Sequence, residues 1–324
     1  MTRSAVMSSR PGVPLLGDQE PRLCSLPEYD RDESGRNAVA LAAVAALELD
    51  PWQRFVLEAG LRRREGRWAA FEVCLIVARQ NGKGTVLEAL ELAALFLFPD
   101  VRLILHSAHE FKTAAEAFLR IRSVIEQNPD LDSQVSRIRT AAGAEAIELK
   151  DGKRLRFVAR SSGSGRGFTS DLVILDEAYK LGDQEMSALL PTLTARPDPQ
   201  VWYTSTAGNP GSVQLGRVRE RGVNGGGGSL AFMEWSADEL GYDPASPADW
   251  ARANPGLGIR ISSDYIERER DALGPEAFAR ERLSQTASTD PEAGERGEFR
   301  HHPYRHRGDP HRHVMSGFGP SRPR

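Results

Sequence analysis

Four residues have the types and spacing to do chemistry on a phosphate: Arg79, Lys83, Asp176 and Glu177. Lys83 sits in a loop, residues 78–84 (ARQNGKG), between an apolar run, residues 73–77, and a helical pattern of Val86, Leu87, Leu90, Ala93, Ala94 and Leu97. Strand, glycine-containing loop with a lysine, then helix is the geometry that holds a nucleotide triphosphate. Backbone N–H groups of Gln80, Asn81, Gly82, Gly84 and Thr85 and the helix N-terminus would surround the phosphates, and Lys83 supplies a mobile positive charge. Arg79, four residues earlier, is a second cation aimed at the same place. The usual loop ends Gly-Lys-Ser/Thr, its hydroxyl on Mg²⁺. Here Gly84 follows Lys83 and the hydroxyl comes one residue later, so either Thr85 reaches the metal or water takes its place.

Asp176 and Glu177 follow four apolar β-formers, LVIL, and two adjacent carboxylates there are costly to bury without a cation or water to need them. Asp176 is read as holding the Mg²⁺ shell and Glu177 as polarising the water that attacks the γ-phosphate. Residues 203–208 (YTSTAG) end another strand, and Thr204, Ser205 and Thr206 there could sense the γ-phosphate. Upstream, Gln53 could pair with the N6 and N7 edge of adenine, or be a surface residue of its helix. The residues predict an ATPase with ATP and Mg²⁺ as its ligands.

Elements that alternate strand and helix must position these groups. Residues 37–47 and a segment opening at Pro51 read as helices. Residues 101–106 read as a strand, and residues 111–126 as a helix with Ala114, Ala117, Phe118, Ile121 and Ile125 on one face. Asp151-Gly152 joins two strands in a hairpin. The expected fold is α/β, a P-loop NTPase of the additional-strand, RecA-like kind, with a mostly parallel sheet and helices on both faces. The expected divisions are an N-terminal arm, partly disordered, over 1–36; the P-loop ATPase core over 37–208; a small, mostly helical linker or lid subdomain over 209–288; and a disordered His/Arg/Pro tail over 289–324.

The net charge of −3 gives no global attraction to nucleic acid, so any DNA contact must come from local patches. Arg62, Arg63, Arg64 and Arg67 form one such cluster, and Arg154, Arg156, Arg160 and Arg166 another. Either could touch phosphates or be a solvated face, and Arg166 could reach a neighbouring subunit's nucleotide. Cys24 and Cys74 are the only cysteines, so a disulfide framework is not expected. Cys74 reads as a core residue. No apolar stretch reaches the ~20 residues that cross a bilayer, and a cytoplasmic protein without membrane contact is expected. Five histidines of the tail, His301, His302, His306, His311 and His313, could bind a metal by composition alone.

Together, PWQRFVLE, ARQNGKGT, SSGSGRGFTSDLVILDEAY and YTSTAG, in that order, resemble the ATPase domain of the large terminase subunit of tailed bacteriophages. That family pumps DNA into an empty capsid. The likeness spans roughly residues 40–285, including FARERL at 278–283. It implies that Arg79 is a cis arginine stabilising transition-state charge, that Lys83 binds the β- and γ-phosphates and that Gln53 reads adenine. It further implies that Asp176 serves Mg²⁺, that Glu177 is the catalytic carboxylate and that Thr204, Ser205 and Thr206 couple hydrolysis to movement. The implied partners are double-stranded DNA, the small terminase subunit, the portal ring of the procapsid and further copies of the chain. Such subunits normally continue into a nuclease domain, and the residues after Leu283 supply no acidic strands for one. A catalytically impaired remnant and a superfamily-2 helicase-like ATPase are the rival expectations.

Overall fold

A computed structural model describes residues 15–160 and 169–285. The chain enters along a sheet edge as β1 (Leu23–Ser25) and continues into α1 (Glu33–Val44) and α2 (Pro51–Gly60). Pro51 fills the first turn of α2, and Asp50 and Gln53 close its N-terminus with a reciprocal capping box. A small hairpin, β2 (Arg63–Arg64) and β3 (Arg67–Trp68), delivers the chain to β4 (Glu72–Ile76), whose five residues are all buried. There follow α3 (Lys83–Phe96), β5 (Leu103–Ala108), α4 (Phe111–Glu126) and the single turn α5 (Pro129–Asp132). Strands β6 (Val135–Arg139), β7 (Ala146–Leu149) and β8 (Arg154–Ala159) form a meander, and β9 (Leu172–Leu175) returns to the centre. The rest is α6 (Asp183–Leu193), β10 (Gln200–Ser205), α7 (Val213–Val223), β11 (Leu230–Glu234), α8 (Pro247–Ala253), α9 (Ser263–Ala272) and α10 (Pro275–Arg282).

Nine strands make one sheet in the order β1-β11-β4-β10-β9-β5-β8-β7-β6. From β11 to β8 the pairings are all parallel, and antiparallel strands close both edges. The central strands read as continuous apolar runs because both faces are covered. Val73, Leu75 and Val77 point into a core shared with α1 to α4, while Cys74 and Ile76 face the core shared with α6 and α7. Burial pushes the Cys74 thiol strongly upward, as expected of a core residue without chemistry. Gly222 of α7 is required by close packing, since a Cβ there would lie 2.2 Å from the Phe232 ring of β11.

Strand β10 lies between β4 and β9. This is the additional strand of the expected fold, and it means that the loop strand and the acidic strand are not immediate neighbours. The sheet also runs past the expected division at residue 208, because β11 pairs with β4 over residues 230–234 and α7 packs against it. A third core, Ala237, Trp250, Leu257, Ile261, Ile266, Phe278 and Leu283, gathers α8 to α10 only after that strand. The expected arm is also more ordered than foreseen in its described part. Gly17 N–H donates to Leu257 O, Asp18 N–H to Ala251 O, and β1 pairs with β11. All described residues lie in one compact unit; the tail and its histidines lie outside the described residues, as does Arg166. Among the described residues no group of acids, histidines and cysteines could hold a metal by itself, and no helix is long and apolar enough to cross a membrane.

Candidate functional site

Parallel strands all point their carboxyl ends to one side, and there the loops after β4, β9 and β10 open a cleft of about 350 Å³. Arg79, Gln80, Gly82, Lys83 and Gly84 line it from one side, and Asp176, Glu177, Tyr179, Ser205 and Thr206 from the other. Thr113 and Arg120 of α4 complete it.

The loop half is held by segments distant in sequence. Gly82 caps α3 in the left-handed region, φ 100°, and a Cβ there would come 2.7 Å from Gln53 Nε2. Gln53 is fully buried; its Nε2 donates to Gly82 O at 2.8 Å and its Oε1 accepts from Asp50 N–H at 2.7 Å. Its amide fastens α2 to the loop, and its side chain is not among those that line the cleft. Asn81 is equally buried: its Oδ1 accepts from Gly256 N–H at 2.8 Å, and its Nδ2 donates to Asn254 Oδ1 at 3.1 Å. Its side chain therefore faces the α8–α9 segment rather than the cleft. Arg282 of α10, 2% exposed, donates to Arg79 O at 3.1 Å and to Gln80 Oε1 at 3.2 Å, and pairs with Glu269. Gln80 is held at φ 60°, uncommon for a residue with a Cβ. Arg79 pairs through Nε with Glu281 Oε2 at 3.0 Å.

Lys83 Nζ donates to Val77 O at 3.0 Å and Ala78 O at 3.2 Å. Desolvation pushes this lysine down to about 8, against the pull of Asp176. Thr85, one residue further into α3, is not among the residues that line the cleft.

Neighbouring strand tips hold the acidic half. Asp176 Oδ1 accepts from Thr204 Oγ1 at 2.9 Å and from Glu177 N–H at 2.9 Å. Thr204 is fully buried, so it touches the carboxylate rather than the cleft. Ser205 Oγ accepts from Tyr179 N–H at 3.0 Å. Glu177 adopts φ 53°, and its Oε2 is buried without a hydrogen-bond partner among the described residues. A strained backbone and an unsatisfied carboxylate oxygen at one residue are a stored cost that points to function. Arg160, just past the end of β8 and sequence-read in a basic cluster, donates to Ser107 O, Asp176 O and Glu177 O at 2.9, 2.6 and 3.0 Å. Burial pushes its guanidinium down while Asp176 and Glu177 pull it up. The other basic cluster is locally engaged: Arg62 stacks on Tyr29, Arg63 on Trp68 and Arg64 pairs with Glu28.

Sequence reasoning missed Arg120, Arg282 and Thr113, and read Arg160 only as one member of a basic cluster. Arg120 and Thr113 lie on the polar side of a helix whose apolar stripe was recognised; the buried arginines left no signal, since arginine is ordinarily a surface residue.

A family model described as the terminase large subunit, ATPase domain, matches residues 51–221, more than half of the chain. The chain belongs to that family. No curated protein matches it. Among solved structures, the terminase fold is shared with the large terminase of bacteriophage HK97, at 20% identity and TM-score 0.67 over 78% of this chain and 55% of that one. The large terminase of a thermophilic bacteriophage, in complex with ADP, aligns at 12% identity and TM-score 0.48, over 66% of this chain and 48% of that one. The ATPase domain of the Thermus phage P74-26 large terminase aligns at 16% identity and TM-score 0.49, over 76% and 98%. This terminase chain thus spans about half the length of the first two whole subunits.

Proposed function

We propose that this chain hydrolyses ATP by in-line attack of water and that the hydrolysis drives double-stranded DNA into a procapsid. One observation carries the reading: Lys83 and the Asp176–Glu177 pair, 93 and 94 residues apart in sequence, face each other across one cleft at the ends of β4 and β9. Gln80, Gly82 and Gly84 supply loop surface at the phosphates; Asn81, and Gln53 behind it, hold that loop in shape rather than touching nucleotide. Lys83 leaves its carbonyl partners for the β- and γ-phosphate oxygens, and Arg79 leaves Glu281 to stabilise charge on the transferred group. Glu177 orients the attacking water and takes its proton, its buried oxygen having no competing donor among the described residues.

Magnesium fits the donor set. Asp176 is a carboxylate aimed by Thr204, and no side chain at position 84 obstructs the approach. Asp176, with water where a loop hydroxyl is usual, would hold Mg²⁺, which when bound neutralises charge on the β- and γ-phosphates. Thr204 and Ser205 at the tip of β10 bond the acidic half, and with Thr206 they carry the loss of the γ-phosphate into the sheet. The partners that follow are DNA, the portal ring, the small terminase subunit and further copies of the chain around the ring, in the host cytoplasm.

Steady-state hydrolysis by wild type, Lys83→Ala and Glu177→Ala tests the reading. Loss of at least ~10²-fold in both variants, with folding intact, is expected. Equal rates in all three would leave a folded protein without turnover. A forked duplex should remain unseparated, since a helicase and not a packaging motor would open it.

A further inference from the structure

Position 84 is where this loop departs from the usual pattern, and the structure shows what stands beside it. A Cβ built on Gly84 would lie 3.3 Å from Arg120 Nη2 and 3.7 Å from Glu88 Oε1. Arg120 projects from α4, and Glu88 from the second turn of α3 accepts its Nε–H at 2.7 Å. That single bond fixes the plane of the guanidinium and is the hydrogen bond its side chain makes among the described residues. Both Arg120 and Gly84 line the cleft, with Lys83 between Gly84 and the loop. A side chain at 84 would press on the guanidinium already at its Cβ, and the arginine would have to give way by a few tenths of an ångström.

Given the nucleotide role set out above, we propose that Arg120 is a phosphate-contacting catalytic-site residue that Gly84 admits to the cleft. The loop gives up a hydroxyl at its last position and gains a cation beside it. An arginine anchored through Nε keeps two N–H-bearing terminal nitrogens in one plane, the arrangement that grips a phosphate with paired bonds. Its place beside the first turn of α3 puts it where the triphosphate tail meets the helix N-terminus. Glu88 is the positioning residue: buried, it holds the arginine from behind and is not itself part of the cleft lining.

The test is a double-mutant cycle on the full chain, with ATPγS and ADP affinities, kcat and KM as readouts. Arg120→Ala should weaken ATPγS binding and raise KM for ATP by about tenfold or more, the usual worth of charge-assisted hydrogen bonds, with a smaller change in kcat. Arg120→Lys should recover part of the loss. Gly84→Ser should weaken binding in the wild-type background by crowding the guanidinium, and should have no such effect in the Arg120→Ala background. A KM and an affinity within twofold of wild type in a folded Arg120→Ala protein would overturn the proposal. So would an equal effect of Gly84→Ser in both backgrounds. Should Gly84→Ser fail to fold, the Arg120→Ala and Arg120→Lys pair decides alone. Lys83→Ala run alongside separates the two levels: if it hydrolyses ATP at the wild-type rate, the ATPase reading itself fails. If it is inactive while Arg120→Ala is normal, only the role of Arg120 is lost.

Discussion

The two walls of the cleft are built by different means. On the acidic side the supports are near neighbours: Thr204 and Ser205 from the adjoining strand tip and Arg160 from the sheet. On the loop side they come from outside the sheet: Gln53 from α2, residues 254–256 beyond α8, and Glu281 and Arg282 from α10. The acidic wall is therefore as rigid as the sheet. The phosphate loop is only as rigid as the docking of residues 237–285 against it.

That contrast can be broken by substitution, and the largest effect belongs to chemistry rather than support. Arg79→Ala should lower kcat by about 10³-fold, the lower end for an arginine that stabilises phosphoryl transfer, while ATPγS binding weakens far less. A kcat within tenfold of wild type would remove Arg79 from the reacting group. Next come the supports of the loop. Asn81→Ala strands Gly256 N–H and Asn254 Oδ1 in the interior and should cost about 2–3 kcal/mol of folding stability in denaturant titration. Gln53→Ala should cost about 1–3 kcal/mol and leave the preference for ATP over GTP unchanged. A collapse of that preference would restore adenine reading to Gln53. On the acidic wall Thr204→Val removes one bond to Asp176 and should lower kcat/KM by about tenfold with little loss of stability.

Smaller effects sharpen the picture. Lys83 is pushed down to about 8 in the free protein, so it loses charge as pH rises through that value, and kcat/KM for ATP should fall above pH 8. Stability moves the other way. Between about 8 and the ordinary lysine value the unfolded chain binds the extra proton, so stability rises with pH across that window and is lost as pH falls back through it. Glu281→Gln releases Arg79 from a half-exposed ion pair and should lower KM for ATP by about two- to fivefold. An unchanged KM would mean that α10 does not compete with nucleotide for Arg79.

What could be read beforehand follows the same division. The strand of residues 73–77, the loop and the LVIL-Asp-Glu run were legible because burial on both faces writes apolar runs, and chemistry demands charge at their ends. Helix α4 matched its observed bounds through a clear apolar stripe. Helices α6 and α7 went unread because Pro191 interrupts one, and Gly216 and Gly222 weaken the other. Strand β6, VSRIR, is an edge strand whose exposed charges hide its period. Arg282 and Asn81 were illegible as supports, because a buried polar residue announces itself only through partners that folding brings near.

Strand β10 has a last consequence, for the spacing of the two walls. It is laddered in register to β4 on one side and to β9 on the other. The two walls therefore stand two strand spacings apart, roughly 9.5 Å, a gauge set by peptide geometry and indifferent to side chains. Opening that gauge would unzip a parallel ladder. If hydrolysis drives DNA as proposed, the stroke leaves the gauge untouched and is generated by whatever is hinged outside it.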